Sequence, residues 1–218
     1  KQNRRIIMFE WRLSSIAVVK EKNYRFSDSW TSISDIGKVY NNKLFTYQEY
    51  LKTENSYINL FISIFNYLNA QKIKLIHLDK METLHSEISL YDSEGILEEW
   101  YKKVTNNMSF KISDIKYIAP LILRENIWGV LFHQSSKTYI RVGFDYYVYI
   151  RSPRLFQNTK YGTIFNEDFV NMVNENKLFI EYDKEHFKFL VNEGILNSKN
   201  DYGNKYFYST LSKRLNNK

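Results

Sequence analysis

From Thr138 to Arg151 the chain alternates residue type with a period of two over fourteen positions. A helix cannot sustain that beat, so the run predicts one long β-strand. Thr138, Ile140, Val142, Phe144, Tyr146, Val148 and Ile150 would line one face, which suits a core. Tyr139, Arg141, Gly143, Asp145, Tyr147, Tyr149 and Arg151 line the other. Any fold of this chain must therefore bury one side of a sheet here. The second side is either a recognition surface or a face covered by a helix, its tyrosines then being core residues with hydrogen-bonded hydroxyls.

The neighbouring segments build outward from that strand. Ile127 to His133 reads as a second strand and Gln134-Ser135-Ser136-Lys137 as the turn between them, which makes a hairpin. Thr46 with Glu49 three residues on forms a capping box, and Tyr50, Tyr57, Phe61, Ile64, Phe65 and Leu68 recur at helical spacing, predicting a helix to about Asn69. A short strand follows at 72–78, and helices at 92–103 and 113–124, the last containing Pro120, which is able to kink it. Ile6 to Val19 reads as a strand leading into a less regular run. Residues 27–42 form a loop with one helical turn, punctuated by Gly37 and Asn41-Asn42. Pro153 and the polar run Gln157 to Gly162 are expected to end the sheet region. They split the chain into an α+β core at 1–151 and a helical part at 152–218, or leave both in one domain, with helices at 166–174 and 183–193.

With 218 residues, 44% of them hydrophobic and 17% aromatic, the chain is long enough for one sizeable core or two small ones. The longest apolar run, Ile58 to Leu68, is short and broken by Asn59, Ser63 and Asn66, so no membrane span is expected. The first residues are basic at Lys1, Arg4 and Arg5, but Glu10, Arg12, Ser14 and Ser15 follow instead of an apolar signal core. No export signal is expected. Cysteine is absent, which removes disulfides, thiol nucleophiles and thiolate metal sites and favours the cytoplasm. The net charge of +7 is concentrated at the two ends, in residues 1–25 and 184–218.

Few motifs carry chemistry. The seven glycines do not cluster, so a phosphate-cradling loop is missing, and no Gly-x-Ser-x-Gly elbow exists. Glu82 with His85, and Asp183 with His186, set a carboxylate three residues before a histidine. A di-metal site would need two more carboxylates on long helices, and helix capping explains the second pair more simply. His77 and Asp79 fit a strand end beside a turn better than an acid–base pair. No metal, cofactor or catalytic residue is expected. Residues 184–214 outline helix, strand, polar loop and strand, as in a winged helix, with Lys199, Lys205, Lys213 and Arg214 available to phosphates. That gives an alternative reading, a nucleic-acid-binding regulator.

Tyr and Arg dominate protein–protein hot spots, so Tyr139, Arg141, Asp145, Tyr147, Tyr149 and Arg151 are the candidate partner-binding residues. The segment Val142-Gly143-Phe144-Asp145-Tyr146-Tyr147-Val148-Tyr149-Ile150, after a strand ending near His133, resembles a pattern in bacterial immunity proteins encoded beside toxins. That resemblance covers about a tenth of the chain and implies tight, non-catalytic capture of a cognate protein toxin. It transfers no catalytic residue. Immunity proteins against basic nuclease toxins are typically acidic, whereas this chain is basic, so its toxin would be acidic or bound through a local patch. The fold expected is α+β: an antiparallel sheet with a central hairpin at about 127–151, packed against the helix near 46–69, with a helical carboxyl-terminal part.

Overall fold

A computed structural model describes residues 11–14, 32–40, 42–81, 92, 94–143, 146–159 and 162–181. In chain order the strands are β1 (Trp11–Ser14), β2 (Val39–Tyr40), β3 (Lys43–Leu44), β4 (Ile73–Lys80), β5 (Ser109–Phe110), β6 (Ile127–His133), β7 (Thr138–Val142), β8 (Val148–Arg151), β9 (Phe156–Thr159), β10 (Gly162–Phe165) and β11 (Phe179–Glu181). The helices are α1 (Tyr47–Tyr67), α2 (Ile96–Lys103), α3 (Ile115–Leu123) and α4 (Glu167–Glu175), with 3-10 turns at Ile33–Asp35 and Ile112–Asp114. Seven strands form one antiparallel sheet in the order β11-β1-β8-β7-β6-β4-β5; β9 with β10 and β2 with β3 are separate two-stranded hairpins. The fold is α+β, as the residue pattern implies.

The alternating run is not one strand. It folds back on itself as β7 and β8, so that β6, β7 and β8 make a meander. Gly143 donates its N–H to the carbonyl of Tyr147 at 2.8 Å, closing the turn, and Tyr146 takes a left-handed φ of 59°. A bulky residue pays strain there, on the order of 1–3 kcal/mol. Packing offsets it: the Tyr146 ring lies 5.5 Å from those of Tyr50 and Tyr57 on α1 and is buried. Core anchoring of an even-numbered side chain thus overrides the extended conformation that local alternation favours.

Helix α1 begins where its capping box requires. Thr46 accepts from the Glu49 N–H, and the Glu49 carboxylate accepts from the Thr46 N–H. Its apolar stripe, Tyr57, Leu60, Phe61, Ile64 and Phe65, is buried against the sheet face that carries Leu75, Leu131, Ile140, Val148 and Ile150. Helix α3 is buried nearly all round, from Ile115 through Ile118 to Leu123, and holds Pro120 within it. Asp92 accepts the N–H groups of Leu97 and Glu98 at the start of α2, compensating for Gly95, which has no side chain to cap with.

Past Pro153 the sheet region does not end. The polar run at 157–162 carries the hairpin β9–β10, α4 follows with Asn166 as its cap, and β11 returns to pair with β1. Phe156, Phe165 and Phe169 pack on one another with ring centroids 6.1–6.5 Å apart. Of the strand expected from Ile6 to Val19, residues 11–14 form β1 and the rest lies outside the described residues, as do the helix expected at 183–193 and the winged-helix outline at 184–214. Among the described residues no helix is long and apolar enough to cross a membrane.

Candidate functional site

Strand pairing sets the geometry of the sheet's second face. Tyr139 pairs with Arg151 and Arg141 with Tyr149, so each arginine stands beside a tyrosine of the neighbouring strand. The Arg141 guanidinium lies 4.0 Å from the Tyr149 ring centre and that of Arg151 lies 5.6 Å from the Tyr139 ring centre. Such contacts stabilise by about 0.5–1 kcal/mol at partly exposed sites. Tyr139 also stacks on Phe132 of β6, with ring centres 4.5 Å apart. Register extends one row as Lys74, Phe132, Tyr139 and Arg151, and the next as Ile76, Val130, Arg141 and Tyr149. All eight are half-buried, on the side of the sheet opposite α1.

Four of the six candidate residues, Tyr139, Arg141, Tyr149 and Arg151, therefore share one face. Tyr147 is half-buried in the turn before β8, where its carbonyl holds Gly143, and Asp145 lies outside the described residues. Gly143 is needed beside this face, because a Cβ there would come within 2.8 Å of the Tyr149 ring. Arg151 makes no ion pair among the described residues, and its Nε is buried without a hydrogen-bond partner. Of the other candidates, His77 sits exposed at a β-bulge with a φ of 54°, and Asp79 is exposed on the far side of it. Glu82, His85, Asp183 and His186 lie outside the described residues, among which no cluster of His, Asp or Glu could hold a metal.

Two buried polar clusters escape any reading of the sequence alone. In the first, Arg124, at the end of α3, donates to both oxygens of Glu54 on α1, each at 2.7 Å, with the side chains 4% and 3% exposed. Burial works against the guanidinium charge, but the hydrogen bonds and attraction of Glu54 more than reverse this and hold Arg124 more firmly protonated than a free arginine. Burial, with Glu54 nearby, pushes the Tyr50 and Tyr146 phenols well up, so both stay neutral.

The second cluster runs through the β6–β7 turn. His133 Nδ1 lies 2.8 Å from Ser136 Oγ, which donates to Thr138 Oγ1 at 2.9 Å; Thr138 Oγ1 lies 2.7 Å from Ser152 Oγ, which accepts the Arg154 N–H at 3.3 Å. A hydroxyl has one proton. Ser136 gives its own to Thr138, so His133 Nδ1 must be the donor to Ser136 and Nε2 is left as a bare acceptor. This arrangement orders a turn; it does not activate a serine, since the imidazole is not placed to accept the serine proton. The clue in the sequence is a histidine three residues before a serine across a four-residue turn, but Ser152 and Arg154 arrive only through the fold.

Comparison with protein-family models, with curated proteins and with solved structures finds no match to this chain.

Proposed function

We propose that this protein is a non-catalytic binder of another protein, and that its partner is a bacterial toxin which it neutralises. The observation that carries the reading is the paired arrangement Tyr139–Arg151 and Arg141–Tyr149 on one half-buried sheet face. Arg and Tyr supply large contact area with hydrogen-bonding tips, and cross-strand packing holds the side chains in place before any partner arrives. Less entropy is then lost on binding. Lys74, Arg141 and Arg151 outnumber Asp79 among the charges of β4, β6, β7 and β8 on this face, so the complementary surface is acidic. The resemblance of residues 142–150 to immunity proteins supplies the toxin as the kind of partner.

The test is to identify the product of the adjacent gene and to titrate the full chain with it, followed calorimetrically. Replacing Tyr149 and Arg151 together by alanine should weaken binding by about 100-fold or more, given what central aromatic and arginine anchors contribute. Unchanged affinity in a variant with an unaltered circular dichroism spectrum would refute the assignment of this face.

A further inference from the structure

We infer that the cavity between the end of α1, the β6–β7 turn and Arg154 is a binding site for a small carboxylate that carries a neighbouring hydrogen-bond donor, as in a hydroxy acid or an amino acid. The cavity has a volume of about 370 Å³ and is lined by Tyr67, Leu68, Asn69, His133, Ser135, Ser136 and Arg154. That is the lower range of small-molecule sites, roughly 300–1,000 Å³.

The ligand chemistry follows from the lining. Arg154 is exposed, its guanidinium has no ion pair or hydrogen bond among the described residues, and no carboxylate lines the cavity with it. It is suited to a planar anion, for which guanidinium offers a two-pronged donor. His133 is 8% exposed, its Nδ1 is committed to Ser136, and its Nε2 makes no hydrogen bond among the described residues. Nε2 is not among the fully buried atoms that lack a partner, so it is open to the cavity and free to accept from a donor on a ligand. Burial lowers the His133 pKa, which keeps Nε2 unprotonated. The end of α1, at Leu68 and Asn69, presents the carbonyl pole of a 21-residue helix, which also prefers a donor to a bare anion. The site therefore asks for both groups in one small molecule, with no bond made or broken. It is separate from the Tyr–Arg face and independent of the partner proposed for that face.

Three probes test this with the full chain: L-lactate and L-alanine, each with a carboxylate and a donor, and propionate, which matches them in size and lacks the donor. Titrations followed by calorimetry and by amide chemical shifts should show saturable binding of lactate or alanine, at least tenfold tighter than propionate; which of the two wins identifies the donor as hydroxyl or ammonium. Arg154→Gln should abolish binding, while Lys116→Gln, an exposed charge elsewhere, should not. His133→Asn keeps a donor for Ser136 but removes Nε2, so it should bring lactate or alanine down to the level of propionate. The inference is overturned if no probe saturates below about 20 mM, a range in which even weak specific binding registers. Equal binding of propionate, or binding that survives Arg154→Gln, overturns it as well.

Discussion

Glu54 and Arg124 are 70 positions apart in the chain yet meet in a nearly dry ion pair. Removing one member strands the other, so Arg124→Met should destabilise the protein by about 3–5 kcal/mol. The double variant Glu54→Leu with Arg124→Met should recover most of that loss, which urea unfolding of both variants will measure. His133 gives a pH signature of known sign. Burial sets its folded pKa below the reference value of 6.5, so the unfolded chain takes up its proton first as pH falls. The stability contributed by the neutral imidazole is complete above pH 6.5 and declines between there and the lowered folded value. Denaturation midpoints of the native protein should fall over that window relative to His133→Asn, and parallel curves would contradict the burial assigned to the ring. Neither cluster could be read from the sequence, because each depends on partners that only the fold brings together: α1 with α3 in one, the β6–β7 turn with Ser152 and Arg154 in the other.

Among the elements, α1 was readable because two independent signals coincide, a capping box at Thr46 and apolar residues at helical spacing. Thr46→Ala should cost about 1 kcal/mol, as N-cap losses typically do. The alternating run was readable in its faces but not in its topology. Odd-numbered residues pair with odd-numbered ones across β7 and β8, so Tyr139, Arg141, Tyr149 and Arg151 share a side whether the segment is one strand or two. The turn at 143–147 leaves no mark in the pattern, because Tyr146 is even-numbered and apolar and still points into the core. Its aromatic contacts make Tyr146 the anchor of that turn, and Tyr146→Ala should cost about 3–5 kcal/mol by thermal or urea unfolding, the range for aromatic truncation in a core. Gly143→Ala should act differently. It pushes on the Tyr149 ring, so binding of the proposed partner should suffer more than stability does.

At the scale of the whole molecule, β1 lies between β8 and β11, so segments from near both ends of the described chain complete one sheet. Tryptophan fluorescence and far-ultraviolet circular dichroism should then report a single coincident unfolding transition; two separated transitions would place a domain boundary near 152–163. The sheet continues past 152–163: a polar run with a preceding proline marks a hairpin tip as readily as a linker. Among the described residues the rims of the sheet are short: β5 has two residues and β11 three, and the Leu78 N–H at the β4 rim is taken by the Asn106 side chain. Among the described residues, strand addition by a visiting chain thus has little backbone to template it. In the partner reading proposed above, recognition would then pass through side chains, and a side chain can be exchanged one codon at a time. If the protein is the toxin binder proposed above, it is able to follow a changing adversary by single substitutions while its fold stands still.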